Sequence, residues 1–163
     1  MRLIAYGILF VTLASIILVP LIELAVVYRE KIVLDSAIRN ASRVAKDRAL
    51  QTEGIRDLNA DIDEEKFKTY FSEAFRDVMN LTASSSAGNT LTYKSTDGRY
   101  ETLTVNLQFD ELSKPEGLVT EVKVRAEASY IFKTKLMRTV EEVNPAVNYQ
   151  LVTEREYVLT VRN

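Results

Sequence analysis

The side chains available for chemistry in this sequence are mainly carboxylates, because the 163-residue chain contains neither histidine nor cysteine. Acids are adjacent in the chain at Glu64-Glu65, Asp110-Glu111 and Glu141-Glu142, among other places. Neighbouring residues point to different sides of a helix or strand, so such pairs are poor general acid–base couples. We interpret them as parts of solvated charged faces. The sequence also lacks a phosphate-binding glycine loop and a G-x-S-x-G motif, and we expect no enzymatic activity.

One acidic segment, DIDEE from Asp61 to Glu65, invites comparison with calcium-binding loops. An EF-hand spreads its ligands over a loop of about 12 residues, and that spacing is absent here. Asp61 and Glu64 have instead the spacing of a helix capping box, with Asp63 as a competing N-cap. We therefore predict that this segment begins a helix, and we expect no metal and no cofactor.

Glu23 is the acid in the least expected place, because it follows a long apolar run. A charged group at the centre of a membrane helix costs about 2.5–3.5 kcal/mol on insertion scales, and less near the end. Two readings are open. The carboxylate reaches the membrane–water interface, or it meets a positive partner in an assembly, such as a neighbouring subunit's amino terminus. Pro20 lacks a backbone N–H and permits a bend or local melting, which would help helices of several subunits pack around one axis.

The apolar run itself is long enough to cross a membrane. The 20 residues from Leu3 to Ile22 carry no charge, and at about 1.5 Å per residue they match a hydrocarbon core about 30 Å thick. With Glu23 included, the run continues to Tyr28. A cleaved signal peptide has a shorter apolar region and an A-x-A-like site, and this sequence shows neither. We predict a retained anchor over residues 1–28, with the N-terminus in the cytoplasm and the C-terminal domain outside.

The helix is predicted to continue beyond the membrane as far as Gly54. No glycine or proline interrupts Leu21 to Glu53, and small or apolar residues recur there at spacings of three and four. This narrow stripe consists of Leu34, Ala37, Ile38, Ala41, Val44 and Ala45. Its small side chains would let another backbone or a sheet approach closely. Residues 29–54 are thus predicted to extend the anchor helix outside the membrane.

Residues 55–163 are predicted to form an α+β domain. A second helix is indicated by an apolar stripe of Phe67, Tyr70, Phe71, Ala74, Phe75 and Val78. The segment from Thr82 to Thr90 is small and polar, which predicts a loop. Alternating apolar residues after it predict an antiparallel sheet of about four strands, with an irregular or briefly helical piece at residues 136–143 and a turn at residues 144–145 before the last strand. The two helices compete for the apolar face of this sheet.

The parity of the first hairpin makes a more detailed prediction. A two-residue Asp97-Gly98 loop would place Leu91 on the face opposite to that of Leu103. A three-residue loop from Thr96 to Gly98 pairs Leu91 with Leu103 on the same face. We therefore predict a type I turn followed by Gly98 at positive φ and a bulge.

The N-terminal segment resembles TadE/TadG-like minor pilins. An apolar span with a proline precedes ELAVVYREKIVLDSAIRNASRVAK, from Glu23 to Lys46. The positions that match the family pattern are Glu23, Tyr28, Arg29, Leu34, Ala37, Ala41, Arg43 and Ala45. The family's leader-processing region is not visible here, since Thr12 stands where an acid would follow Gly7. The resemblance implies a structural subunit of a Tad-type pilus.

The resemblance implies partners and an interface. Other pilin subunits and membrane assembly machinery would be the partners, in addition to membrane lipid. The assembly interface predicted from it consists of Pro20, Glu23, Tyr28, Leu34, Ala37, Ile38, Ala41, Val44 and Ala45. A membrane-anchored binding or sensing module that never enters a filament is the alternative. The balanced charge, 21 basic against 23 acidic residues, argues against non-specific nucleic-acid binding.

Overall fold

The computed structural model describes residues 2–49, 62–114, 117–144 and 150–159. These residues form an α+β fold with one antiparallel sheet, in which the strands follow each other in chain order. The elements are α1 (Arg2–Ala49), α2 (Glu64–Met79), β1 (Leu81–Ala87), β2 (Thr90–Ser95), β3 (Tyr100–Lys114), β4 (Gly117–Tyr130), α3 (Lys135–Val143) and β5 (Gln150–Leu159). The predicted fold class is confirmed, and the sheet has five strands where about four were predicted.

The first helix, α1, is a single helix of 48 residues. Pro20 lies inside it without ending it, so the local melting that a proline permits does not occur there. The predicted stop at Gly54 lies outside the described residues. From Leu3 to Ile22 the side chains are exposed, apart from the half-buried Ala14 and Pro20. The domain therefore leaves the first part of α1 bare and packs against the second part.

The two long helices share the apolar face of the sheet. Phe75 of α2 contacts Tyr93 of β2 with ring centroids 5.4 Å apart, and Phe67 meets Phe109 of β3 edge-on at 5.6 Å. On the other half of the sheet, α1 packs against β4 and β5. Burying a phenylalanine contributes about 1.5–3 kcal/mol, so the aromatic row of α2 is a main source of stability. The helices that were predicted to compete for this face lie side by side on it.

The ends of α2 are set by local side-chain chemistry. Asp63 is the N-cap, and its carboxylate accepts a hydrogen bond of 3.1 Å from the backbone N–H of Lys66. Asp61, the other candidate, lies outside the described residues. The helix ends at Asn80, which adopts the left-handed conformation with φ 52°. Val78, predicted on the buried stripe, is 53% exposed, and the following Met79 is buried in its place.

The loop predicted from Thr82 to Thr90 is wrong, because most of it forms the edge strand β1. This strand pairs with β2 across a short turn at Gly88 and Asn89, and its register is irregular between Ala83 and Ser85. Most of its described side chains are small and exposed. Backbone hydrogen bonds to β2 stabilise this strand. Because these bonds do not require apolar side chains, the sequence of β1 shows no apolar alternation.

The hairpin between β2 and β3 keeps the predicted face and changes the register. Leu91 pairs with Val105, and Tyr93 pairs with Leu103, so the predicted pairing of Leu91 with Leu103 is wrong by two residues. A slip of two residues conserves the face that each side chain points to, so hydrophobic parity cannot detect it. Gly98 has φ 69° as predicted.

The short helix α3 connects β4 to β5 at one end of the sheet. Its N-cap is Thr134, whose hydroxyl accepts from the N–H of Met137 at 3.4 Å. The helical piece predicted at residues 136–143 is thus present, and Pro145 of the predicted turn lies outside the described residues. In β5, Tyr157 packs against the core.

Candidate functional site on the anchor helix

The buried face of α1 begins at Glu23 and continues to the end of the described helix. Its members recur at helical spacing, so they lie in one row facing α2 and the sheet. They are Glu23, Val27, Glu30, Leu34, Ala37, Ile38, Ala41, Ser42, Ala45 and Ala49. Two of the first three are acids, which makes this end of the row the chemically unusual part of the fold.

The predicted interface residues fall into two groups. Tyr28 is exposed and Pro20 and Val44 are half-buried. The others are buried within the chain's own fold: Glu23, Leu34, Ala37, Ile38, Ala41 and Ala45. A neighbouring subunit would contact this second group only if α2 and the sheet moved away from it.

Glu23 is bound to the beginning of α3. Its Oε1 accepts hydrogen bonds from the backbone N–H groups of Lys133 and Thr134, the latter at 3.2 Å, and its Oε2 accepts from the Thr134 hydroxyl. Only 5% of Glu23 is exposed. Because a helix N-terminus carries unpaired N–H groups and a partial positive charge, it is a favourable partner for a carboxylate.

Glu30 lies two helical turns further along the same face, about 10.5 Å along the axis. Both of its carboxylate oxygens accept from Arg99 Nη1, at 3.1 and 3.3 Å, and Oε2 also accepts from the Tyr100 hydroxyl at 2.6 Å. Burial, together with the negative charge of Glu30, raises the pKa of Tyr100 well above its usual range. This second acid therefore binds the loop before β3 and the first residue of that strand.

Asp35 makes a third polar attachment, to the edge strand β5. Arg155 donates from Nε to Oδ1 at 2.6 Å and from Nη2 to Oδ2 at 2.7 Å, which is the two-point geometry that arginine and carboxylates favour. The hydrogen bonds from Arg155 lower the pKa of Asp35. The pair is partly exposed, so its contribution to stability is modest.

The sequence analysis does not single out Glu30 as a site residue, because Glu30 lies in the charged group Arg29-Glu30-Lys31 that ends the apolar run. The available signal was its spacing, since Glu30 follows Glu23 by seven residues and precedes Leu34 by four. Those intervals place it on the buried stripe. The partners of Glu23 were also not anticipated, because neither reading placed them in the same chain.

The three acids described above attach α1 to the rest of the domain. Each of the three carboxylates is held by donors from a different part of the domain: α3, the β2–β3 loop with the start of β3, and β5.

In the acidic segment considered for calcium, Asp63 caps α2 and Glu65 pairs with Lys68 at 2.8 Å. Among the described residues, no group of three or more acidic side chains is arranged to hold a metal ion.

Comparison with known proteins adds one weak likeness. Neither a protein-family model nor a curated protein matches the chain. Among solved structures, a virus-like particle of bacteriophage ESE001 matches with a TM-score of 0.33 and 12% identity, over 51% of this chain and 69% of that chain. A likeness at this level carries no argument about fold or function.

Proposed function

We propose that this protein is a membrane-anchored structural subunit of a Tad-type pilus, of the minor pilin or pseudopilin-like kind, acting in filament assembly, priming or surface attachment. The observation that carries the proposal is that α1 has two parts. Its first part is apolar and exposed, and its second part packs in the core of an α+β domain. A helix built this way joins an environment of lipid or packed helices to a folded domain. The proposal includes no catalytic step.

The bare part of α1 is long and apolar enough to cross a membrane, by length and composition. We propose a single span with a cytoplasmic N-terminus and the domain outside. In this arrangement Glu23 stands at the boundary, where the uncharged run ends and the buried row begins. The attachment to α3 removes the cost of an unpaired carboxylate near lipid, because the domain itself supplies the donors.

Contacts between subunits are proposed on the exposed side of α1. Tyr28 is 69% exposed and Ile32 is 55% exposed, and both lie past the boundary at Glu23. With Val152 of β5 they line a groove between α1 and the edge of the sheet. Large apolar side chains in such a position favour burial against a partner. The fully buried stripe would then support the domain, and Tyr28 would be the predicted interface residue that meets other subunits.

Shearing the cell surface tests the proposal. We expect the protein in the released filament fraction, together with other pilus subunits. Replacing Tyr28 and Ile32 by serine should reduce that release while the amount in the membrane is unchanged. The Asn40→Ser variant, which is exposed on α1 outside this groove, is the matched control. Exclusive retention in membranes would contradict a filament role.

The alternative is a membrane-anchored binding or sensing module outside the cytoplasm. It is favoured by the outer face of the sheet, where a polar concavity of about 270 Å³ is lined by Thr104, Asn106, Arg125 and Glu127. A module of this kind would stay with the membrane after shearing. It would also tolerate the changes at Tyr28 and Ile32.

A further inference from the structure

The helix α3 has an apolar face that the fold leaves uncovered. Leu136, Val140 and Val143 are 44%, 39% and 80% exposed, and their spacings of four and three place them on one side of the helix. Met137, on the neighbouring side, is buried against the domain. The apolar surface of α3 is thus wider than the part that the domain covers.

The position of α3 shows what lies next to this face. Lys133 and the N-cap Thr134, which immediately precede α3, are hydrogen-bonded to Glu23. Glu23 directly follows the uncharged run that ends at Ile22. Because α1 crosses the membrane with that run in the proposed function, α3 begins at the level where the hydrocarbon ends.

The apolar surface is continuous between the two helices. A cavity of about 300 Å³ beside Glu23 is lined largely by apolar groups. Val19, Ile22 and Val26 of α1 form one wall, and Tyr130 at the end of β4 contributes to the other. The bare part of α1 therefore leads, through this cavity, to the beginning of α3.

The charges of α3 suit an anionic surface at its N-terminal end. Lys133 and Lys135 are exposed, and neither has an ion pair within the part of the chain that the structure describes. The acids of α3, Glu141 and Glu142, lie toward its other end. Lysines flanking an exposed apolar face are typical of helices that lie in the interface of a membrane.

We propose that α3 lies in the surface of the membrane that α1 crosses. Leu136, Val140 and Val143 insert at the boundary between headgroups and acyl chains, and Lys133 and Lys135 lie among anionic headgroups. The domain would then contact the bilayer at a second point beside its anchor. This inference rests on the membrane anchoring in the proposed function.

The absence of cysteine from the chain allows a clean test by single labels. The full-length variants V140C, E142C and L13C are labelled with an environment-sensitive fluorophore and reconstituted into phosphatidylcholine–phosphatidylglycerol vesicles. Quenching is compared between lipids that carry the quencher near the headgroup and lipids that carry it deep in the acyl chain. E142C is the matched control, because Glu142 lies on the polar side of α3.

An interfacial helix buries its apolar face about 5–10 Å into the headgroup region. We expect the shallow quencher to act several-fold more strongly on V140C than on E142C, and the deep quencher to act most strongly on L13C. Deep quenching of L13C without quenching of V140C would overturn the inference and leave the anchor intact. Loss of deep quenching at L13C would overturn the anchor and this inference with it. Mutual quenching of V140C labels on two chains would assign the face to a second copy instead, which also overturns it.

Discussion

Removing the carboxylate of Glu23 should release α3 from α1 and leave the rest of the domain folded. In the Glu23→Ala variant, the N–H groups of Lys133 and Thr134 lose their acceptor, and the Thr134 hydroxyl loses its partner. An unsatisfied buried donor costs about 1–3 kcal/mol. The two N–H groups are only partly buried, so we take about 1–1.5 kcal/mol for each, and their sum is about 2–3 kcal/mol.

Hydrogen exchange measured on the protein in detergent micelles reports this release directly. Since 1.4 kcal/mol corresponds to a factor of ten, the protection of the Lys133 and Thr134 amides should fall by roughly 30- to 150-fold. Glu23→Gln should lose less, because its amide oxygen still accepts. The exposed Asp47→Ala variant on the same helix is the control.

Protection in the centre of the sheet separates a local effect from a global one. Leu107 and Val124 pair across β3 and β4 and should keep their protection in Glu23→Ala. Unchanged protection at Lys133 and Thr134 would refute the reasoning, because the hydrogen bonds to Glu23 would then contribute nothing. Equal loss throughout the sheet would refute it in a different way, by making Glu23 a determinant of the entire fold.

Three further predictions concern the pH dependence, the hairpin and the helix stripe. Arg155 lowers the pKa of Asp35, so the ion pair stabilises the protein at neutral pH and this stabilisation is lost as the pH falls through the lowered pKa. The Arg155→Gln variant should therefore bring the pKa of Asp35, measured by NMR, back toward 3.8. Gly98→Ala should lower the free energy of unfolding, measured by denaturant titration, by about 1–2 kcal/mol, because φ is 69° there and a Cβ disfavours the left-handed region. An unchanged denaturation midpoint would contradict this. Ala41→Leu should destabilise by about 1–3 kcal/mol through overpacking of a fully buried site, which a thermal unfolding series with the exposed Asn40→Leu as control would measure.

The parts of the fold that the sequence predicts are those with dense periodicity. Phe67, Phe71 and Phe75 recur every four residues and are buried together, so the second helix is evident from the sequence alone. Leu103, Val105 and Leu107 alternate with polar residues and face the core. In both cases burial imposes a period on the residue types, and that period is readable.

The parts that escape prediction lack such a period or involve distant residues. β1 is an exposed edge strand held by backbone bonds, which place few demands on side chains such as those of Thr82 and Ser85. The attachment of Glu23 to Thr134 joins residues 111 positions apart. No local pattern marks such a pair, and an acid at the end of an apolar run is equally compatible with a partner in another subunit.

The three acidic attachments of α1 also determine how the protein bears force. Glu23, Glu30 and Asp35 span about 18 Å of the helix axis. Each of them is hydrogen-bonded to a different segment of the domain. Traction on the N-terminal part of α1, directed along the axis, loads all three contacts in shear at the same time. Contacts arranged in parallel share the load, whereas contacts that open one after another fail singly. Tension along α1 would therefore detach the domain only if all three contacts broke together.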